Sequence, residues 1–323
     1  MKKITLFILF AFTVVHANGF DYAKAYFEND FSALKKLAEK QLQKEEFWHA
    51  HLKDKNLKFG YYQNGNYNQI VVVDKVNQLL NIYDGDKNML KSVPAVVGER
   101  LGDKWYEGDL RTPLGVYNFI RRIPHVDPFY GPLAIVTDYP NFYDKMHDKT
   151  GSGIWLHGFP MDDPFKIDTE GCVAIDNDLL VKVDALIDHE KAIMITNEEG
   201  FMTTDVDEIA KIMAFIYQWR YAWKYDELDR YISMYNQNFK WHNGMDIDQF
   251  IDHKKRVFKI AKNREIDFSD FEVIPYPTGV YDERIFKVTM HQDYSASNYR
   301  SSGQKKLFIK MSSDDNPTII LEK

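Results

Sequence analysis

Apolar residues recur with two different spacings along the chain, and the change of spacing divides it into regions. Residues 20–59 carry apolar side chains at helical spacing between Lys and Glu residues, which predicts one or two amphipathic helices. From about Tyr61, short β-branched runs separated by Asp, Asn and Gly turns predict a β-rich region. The strand candidates are residues 70–73, 79–83, 93–98, 115–120, 133–137, 154–157 and 192–196. One helix is predicted among them, over 179–188, with its start near Asn177 or Asp178.

A polar stretch over residues 197–205 interrupts this pattern and predicts a domain boundary. The remaining chain predicts helices first and a curved antiparallel sheet afterwards. The predicted helices are 206–224, 226–235 and 246–261, and the predicted strands are 266–274, 284–292, 305–311 and 318–321. Its aromatic residues are expected to fill the concave side of that sheet rather than to line a ligand pocket; they are Trp219, Trp223, Tyr231, Tyr235 and Trp241.

The first residues have the pattern of an export signal. Lys2 and Lys3 precede an apolar run over 4–15, and Ala17 is the small residue that signal peptidase favours. About 12 apolar residues are too few to span a bilayer, which takes roughly 17–25. We expect cleavage after Ala17, a mature protein outside the cytoplasm and no stable membrane span.

Composition narrows the function classes. A hydrophobic fraction of 45% over 323 residues predicts a folded chain of two or three domains. The formal charge of −7 argues against nucleic acid as a partner. The single cysteine excludes an intrachain disulfide and a multi-Cys zinc site, and no metal or organic cofactor is implied.

That cysteine, Cys172, has the surroundings of a nucleophile. His157 lies 15 residues earlier, which leaves room for a loop and a return strand that would bring imidazole and thiol together. The N–H groups of Gly171 and Cys172 could form an oxyanion hole. The motif offers no Asp or Asn to orient the imidazole. A backbone carbonyl such as that of Gly158 could orient it instead, by accepting from the ring N–H. The alternative is a buried, inert thiol beside a core histidine.

Several ordered motifs decide between these alternatives. His157 and Gly158 followed by Thr169, Gly171, Cys172 and Val173 resemble the active-site signature of L,D-transpeptidase catalytic domains, the cysteine enzymes of bacterial peptidoglycan. The segment 108–117 is similar to that family's Thr-Pro-x-Gly-x-Tyr strand entry, and 139–141 and 153–158 are similar to its approach to the catalytic histidine. The resemblance covers about residues 61–199.

The resemblance implies roles for the residues that match. Cys172 would be the nucleophile, His157 the general base and Gly158 the residue whose carbonyl orients the imidazole. We nominate Arg111 and Trp155 as substrate contacts. The alternative for Arg111 is that it only pairs with Asp109 or Glu107 at a turn.

One position departs from the pattern. Many cross-linking members carry Arg two residues after the nucleophile, where this chain has Ala174. In a site that binds its second substrate weakly, water is expected to hydrolyse the acyl-enzyme, which would make the protein a carboxypeptidase. The whole arrangement also resembles the cell-shape L,D-carboxypeptidases of helical Gram-negative bacteria, which trim tetrapeptide stems to tripeptides.

That resemblance implies a C-terminal NTF2-like domain and a dimerising N-terminal arm. The residues that look like the opening helices of the NTF2-like domain are Trp219, Trp223, Asp226, Tyr231, Tyr235 and Phe239. The expected fold class is α+β, and the expected boundaries are a signal peptide at 1–17, a helical segment at 18–60, a catalytic domain at 61–199 and an NTF2-like domain at 200–323.

The expected function is a periplasmic peptidoglycan L,D-carboxypeptidase that releases the terminal D-alanine through a Cys172 acyl-enzyme. Two alternatives stay open. The first is an L,D-transpeptidase that joins third-position residues, and the second is a non-catalytic cell-wall scaffold.

Overall fold

The computed structural model describes residues 19–63, 69–163, 168–279, 283–312, 314 and 316–323. The predicted signal peptide at 1–17 lies outside this part of the chain. Seven helices with defined ends lie within it: α1 Phe31–Leu42, α2 Glu45–Leu52, α3 Phe142–Met146, α4 Asn177–Leu186, α5 Val206–Lys224, α6 Leu228–Ser233 and α7 Ile247–Ile260. Residues 19–27 are also helical. Among the described helices, none is both long and apolar enough to cross a bilayer.

Fourteen strands have defined ends in the described residues. They are β1 Tyr61–Tyr62, β2 Gln69–Asp74, β3 Leu79–Asp84, β4 Met89–Pro94, β5 Gly115–Ile123, β6 Ala134–Thr137, β7 Trp155–His157, β8 Val173–Ala174, β9 Ala192–Asn197, β10 Tyr235–Trp241, β11 Glu265–Tyr276, β12 Arg284–Ser295, β13 Arg300–Met311 and β14 Pro317–Glu322. They form one eight-stranded sheet, β4-β3-β2-β9-β5-β6-β7-β8, and one six-stranded sheet, β1-β11-β12-β13-β14-β10. The α+β fold class is confirmed.

Three local predictions differ from the structure. The strand predicted over 93–98 lies earlier, at Met89–Pro94. The helix predicted over 226–235 spans only Leu228–Ser233, and Tyr235 and Phe239 lie on the following strand, β10. Asp226 lies in the turn between α5 and α6, so Asp226, Tyr235 and Phe239 are not in an opening helix. Pairing with β14 makes this segment a strand, with an irregular register between Tyr235 and Lys240. Tyr235 and Phe239 are buried, and the residues between them are exposed or half-buried. The strand β10 also pairs in parallel with β14, an exception to the predicted antiparallel sheet.

The first strand, β1, belongs to the six-stranded sheet. Tyr61 and Tyr62 pair with Val273 and Glu272 of β11, although the sequence places them at the start of the catalytic domain. The chain enters the eight-stranded sheet only at β2. The N-terminal helices and the six-stranded sheet are thus connected by backbone hydrogen bonds as well as by packing.

The two sheets pack face to face, and the alternation along their strands shows how. In β2, Val71 and Val73 face the core of the eight-stranded sheet, while Ile70 and Val72 face a second cluster. The second cluster joins both sheets, since it also contains Tyr276 and Phe308. Strands buried on both faces read as continuous apolar runs, which explains the unbroken pattern at 70–73 and 192–196.

The concave side of the six-stranded sheet is filled as expected. Helix α5 lies over it, and Trp219 and Tyr231 are fully buried in the same cluster as Tyr235 and Trp223. The indole N–H of Trp219 donates to the Tyr235 hydroxyl at 2.9 Å. These aromatic residues form the core of the C-terminal domain.

Candidate active site

The strands β7 and β8 bring the two candidate catalytic residues together. They pair in parallel, with Leu156 opposite Val173 and His157 opposite Ala174. Cys172 directly precedes β8, so it lies at the level of Trp155, one strand away from His157 on the same small ladder. Parallel strands need a longer connection than the tight turn of an antiparallel hairpin, and the residues between His157 and Cys172 provide it.

The Cys172 thiol is held as a neutral group. Its Sγ donates to the carbonyl oxygen of Gly153 at 3.3 Å. Burial raises the pKa of Cys172 above its ordinary value of 9.0, while the N–H of Trp155 and the charge of Lys104 oppose that rise. The thiol needs a base before it can attack a carbonyl carbon.

His157 has the protonation state that a base requires. Its Nδ1 lies 2.6 Å from the carbonyl oxygen of Gly158, an atom that can only accept, so Nδ1 carries the proton. Burial lowers the pKa of His157 below 6.5, against the opposing effect of the Gly158 bond. At neutral pH the ring is uncharged, and its Nε2 is left as the lone-pair nitrogen.

Tyr130 holds this pair from the other side. It ends a 3₁₀ helix, Pro128–Tyr130, and its carbonyl accepts from the N–H of Gly158 at 2.9 Å. Its ring contacts His157 edge-on, with centroids 5.1 Å apart, and also packs on Trp155 at 4.9 Å. The imidazole is thus fixed by both a hydrogen bond and an aromatic contact.

Two threonines fix the backbone at the nucleophile. The Thr169 hydroxyl donates to the Cys172 carbonyl at 2.8 Å, and the Thr112 hydroxyl approaches the same oxygen at 3.5 Å. The N–H of Gly171 is directed at Thr169 Oγ1, with a long bond of 3.3 Å. Its predicted part in an oxyanion hole would require this weak bond to open.

A cavity of about 410 Å³ opens in front of the thiol. His157, Gly171 and Cys172 line it. The other described charged and aromatic residues in its wall are Lys104, Glu107, Phe129, Tyr130, Asp168 and Glu170. Sequence reasoning did not find Lys104 or Tyr130, because both lie outside the motifs, although Lys104 is only four residues before the segment 108–117.

The two nominated substrate contacts lie differently. The Arg111 side chain is directed at the backbone, with Nε donating to the carbonyl of Leu101 at 2.9 Å, and Arg111 is not among the described residues that line the cavity. Trp155 packs its ring on Tyr130 and contributes its backbone N–H to the thiol.

Ala174 is buried, and it exchanges two backbone hydrogen bonds of 2.8 Å with Val96. Its position in the sheet leaves it outside the cavity wall.

No cluster of three or more His, Cys, Asp or Glu side chains with the arrangement of a metal site occurs in the described part of the chain. The chemistry available to the cavity is that of a neutral thiol, a neutral imidazole base and backbone donors. This set suits acyl transfer through a thioester. A half-buried Cys near a buried His in a β-rich domain, followed by a helix-plus-sheet domain, defines the class of protein as a cysteine acyltransferase or hydrolase.

Comparison with known proteins makes the class specific. Residues 68–194 match the L,D-transpeptidase catalytic domain, and residues 211–323 match the Cds6 C-terminal NTF2-like domain. A search of curated proteins gave no match.

Solved structures extend the likeness to nearly the whole chain. The helical cell shape determining protein Pgp2 from Campylobacter jejuni is 34% identical, with a TM-score of 0.79, over 87% of this chain and 100% of that one. A point mutant of the same protein gives a TM-score of 0.81 over 88% and 99%. Bd1075 of Bdellovibrio bacteriovorus is 24% identical, with a TM-score of 0.64 over 83% and 96%, and shares the fold. The chain belongs to the L,D-transpeptidase family, in the form that carries a C-terminal NTF2-like domain, and it is a peptidoglycan-acting enzyme of that family.

Proposed function

We propose that the protein is a periplasmic L,D-carboxypeptidase that removes the terminal D-alanine from peptidoglycan tetrapeptide stems and leaves tripeptides. The observation that carries the proposal is that Cys172 and His157 line one cavity in a chain that matches a cell shape determining protein over 87% of its residues. Trimming of stems is a chemistry by which such an enzyme would influence cell shape.

The proposed reaction begins with the neutral pair. His157 Nε2 takes the thiol proton as Sγ attacks the carbonyl carbon of the third stem residue. The Cys172 N–H, joined by that of Gly171, stabilises the oxyanion. When the intermediate collapses, His157 returns the proton to the nitrogen of the departing D-alanine and a thioester remains. Water then attacks the thioester, His157 accepts its proton, and the tripeptide leaves with the thiol restored.

Ala174 favours water over an amine as the second reactant. Cross-linking members place Arg there, whereas this chain buries a methyl group between Val96 and His157. A second stem would find no cation at that position. Hydrolysis needs no second binding site, since water reaches an open cavity without one.

The test uses protein without residues 1–17 and purified muropeptides with tetrapeptide stems. Mass spectrometry should detect loss of one alanine from the substrate with the natural protein, and none with Cys172→Ala. Cys172→Ser is the matched control for shape, and it should retain the fold with little activity. Dimers joined between third residues would instead identify an L,D-transpeptidase. Unchanged substrate with natural, folded protein would favour the scaffold alternative.

We propose further that the N-terminal arm pairs with a second copy of the chain. Support comes from exposed aromatic side chains on helical residues 19–27 and at the start of α1, with Phe27 85% and Tyr26 71% exposed. Apolar patches of this kind mark interaction sites. Light scattering after gel filtration should give a dimer mass, and Phe27→Glu should give a monomer. A monomeric natural protein at micromolar concentration would contradict this part of the proposal.

A further inference from the structure

The cavity has an uneven charge distribution. Glu107, Asp168 and Glu170 are acidic lining residues, and all three are exposed. Lys104 is the cation among the described lining residues, and its side chain is only 5% exposed. Water and salt screen exposed charges strongly, whereas a buried charge acts through a medium of lower dielectric constant. The Lys104 charge is shared with the buried Asp109 carboxylate, so Lys104 would bind an anion in the cavity by donating hydrogen bonds from the same ammonium group rather than as an isolated charge.

Lys104 is held rigidly. Its Nζ donates to Asp109 Oδ1 at 2.7 Å. Asp109 in turn accepts backbone N–H groups from Trp105 at 2.8 Å, Tyr106 at 3.3 Å and Arg111 at 3.1 Å. A carboxylate that accepts this many donors is fixed in place. The ammonium group has three N–H donors, so the Asp109 bond leaves donors for another acceptor.

Lys104 lies close to the loop that contacts the Cys172 thiol. Its stem runs along the loop that holds the thiol, since a methyl group built on Gly151 would lie 3.4 Å from Lys104 Cε. The carbonyl oxygen of Gly153, in the same loop, accepts the hydrogen bond from the thiol. The charge of Lys104 also acts on Cys172 itself, where it lowers the pKa of the thiol.

We infer that Lys104 is the carboxylate-binding residue of this site and that it recognises the free terminal carboxylate of the residue to be released. The inference rests on the proposed carboxypeptidase function for the identity of that residue as D-alanine. In such a substrate the leaving nitrogen is one carbon away from the carboxylate, so the recognising cation must lie beside the nucleophile. Lys104 is a specificity residue for the substrate that is cleaved, and it lies in the cavity wall, whereas Ala174 does not.

The first experiment measures carboxylate binding without turnover. Iodoacetate and iodoacetamide both alkylate only the thiolate, so the ratio of their rates cancels any change in the pKa of Cys172. In natural protein this ratio should exceed that of a small free thiol measured alongside. Lys104→Gln should lower the ratio by about three- to ten-fold, and Lys104→Arg should keep most of it. Glu170→Gln is the matched control in the same wall, and it should change the ratio by less than about two-fold because its charge is exposed.

The second experiment compares a tetrapeptide stem ending in D-alanine with the same stem ending in D-alaninamide. The natural enzyme should process the amide with a kcat/KM about ten- to hundred-fold lower, mostly through KM. In Lys104→Gln the two substrates should differ by less than about two-fold. An equal amide penalty in both proteins would overturn the inference.

The outcomes separate this inference from the proposed function. If neither substrate is hydrolysed but the alkylation ratio behaves as expected, the carboxypeptidase proposal fails and the carboxylate site stands. If substrate is hydrolysed but the ratio in natural protein is no higher than that of the free thiol, Lys104 does not bind carboxylates. This last comparison needs no variant, so it decides the matter even if Lys104→Gln does not fold.

Discussion

At the scale of residues, Cys172 and His157 form a neutral pair because the protein shields both from solvent, with His157 buried and Cys172 half-buried in the cavity wall. Burial disfavours the charged form of each, which raises the pKa of the thiol and lowers that of the imidazole. The enzyme therefore does not store a thiolate, and it forms one only as the imidazole takes the proton. A neutral thiol is also oxidised less readily than a thiolate.

This arrangement predicts two different pH profiles. The kcat/KM for stem hydrolysis should fall as the pH drops through the pKa of His157, below 6.5, because the protonated ring cannot act as a base. Alkylation by iodoacetamide should instead rise with pH to a midpoint above 9.0, since it needs preformed thiolate. The profiles are measured on one preparation by product analysis and by mass spectrometry. An alkylation midpoint near neutrality would mean that the resting state is an ion pair.

Gly171 is predicted to be irreplaceable. Its φ is +147°, and a methyl group there would lie 2.7 Å from the carbonyl oxygen of Arg111. Gly171→Ala must therefore shift the backbone beside Cys172, and we expect a loss of at least about ten-fold in kcat/KM with less than about 3 kcal/mol of destabilisation. Steady-state kinetics and a denaturant melt measure the two effects. Normal kinetics in a folded Gly171→Ala variant would show that this backbone does not position the nucleophile.

At the scale of elements, one carboxylate attaches α1 to the C-terminal domain. Glu39 is buried on α1, and its two oxygens accept from the Tyr225 hydroxyl at 2.7 Å, Lys224 Nζ at 3.0 Å and Arg220 Nη1 at 3.2 Å. The helix itself has few buried residues, so this cluster supplies much of its attachment. The N-terminal segment is thus part of the folded body rather than a loose tail.

Removing the Glu39 charge should loosen α1. Glu39→Gln leaves two buried cations with one partner fewer each, which should lower the free energy of unfolding by about 2–3 kcal/mol. Hydrogen exchange should accelerate in residues 31–42 more than in the eight-stranded sheet. Glu46→Gln on the exposed side of α2 is the control and should change little. Unchanged exchange in α1 would show that apolar packing alone attaches it.

At the scale of the whole molecule, the two sheets share one cluster and should unfold together. Phe308 of β13 is 1% exposed in that cluster, and its ring lies 5.0 Å from Tyr143 and 5.1 Å from Tyr276. Nearby, the Asn141 side-chain amide donates across the interface to the Tyr276 hydroxyl at 2.8 Å. The catalytic loops are therefore built on a sheet that the NTF2-like domain covers.

Phe308→Ala should separate the two halves energetically. The space left by the missing ring should lower the free energy of unfolding by about 3–5 kcal/mol. Calorimetry should resolve two transitions where the natural protein has one. Phe250→Ala is the matched control, because Phe250 is fully buried within the C-terminal core and away from this interface. It should destabilise the protein without splitting the transition. A single transition in Phe308→Ala would show that the interface does not depend on this ring.

The sequence by itself determined the kinds of element, the family and the two residues of the candidate pair. These depend on local patterns: alternation in strands, helical spacing in 206–224 and a motif that spans a few residues around Cys172. It failed where packing overrides local preference, as at Tyr235 and Phe239, whose aromatic side chains fit a helix or a strand equally well until a sheet edge pairs with them.

Only the tertiary structure decided what surrounds the thiol. Lys104 and Tyr130 come to the cavity from loops 68 and 42 residues before Cys172 in the chain, and no spacing rule connects them to it. Whether a lysine is buried beside a carboxylate or exposed to solvent depends on contacts between distant segments, which composition and periodicity do not record. The same holds for Arg111, which lies in a family motif and yet directs its side chain to the backbone of Leu101. Local motifs determine which reactive residues the site contains, and the fold determines which residues surround them. The reason is that burial and charge at a site depend on all the segments that meet there.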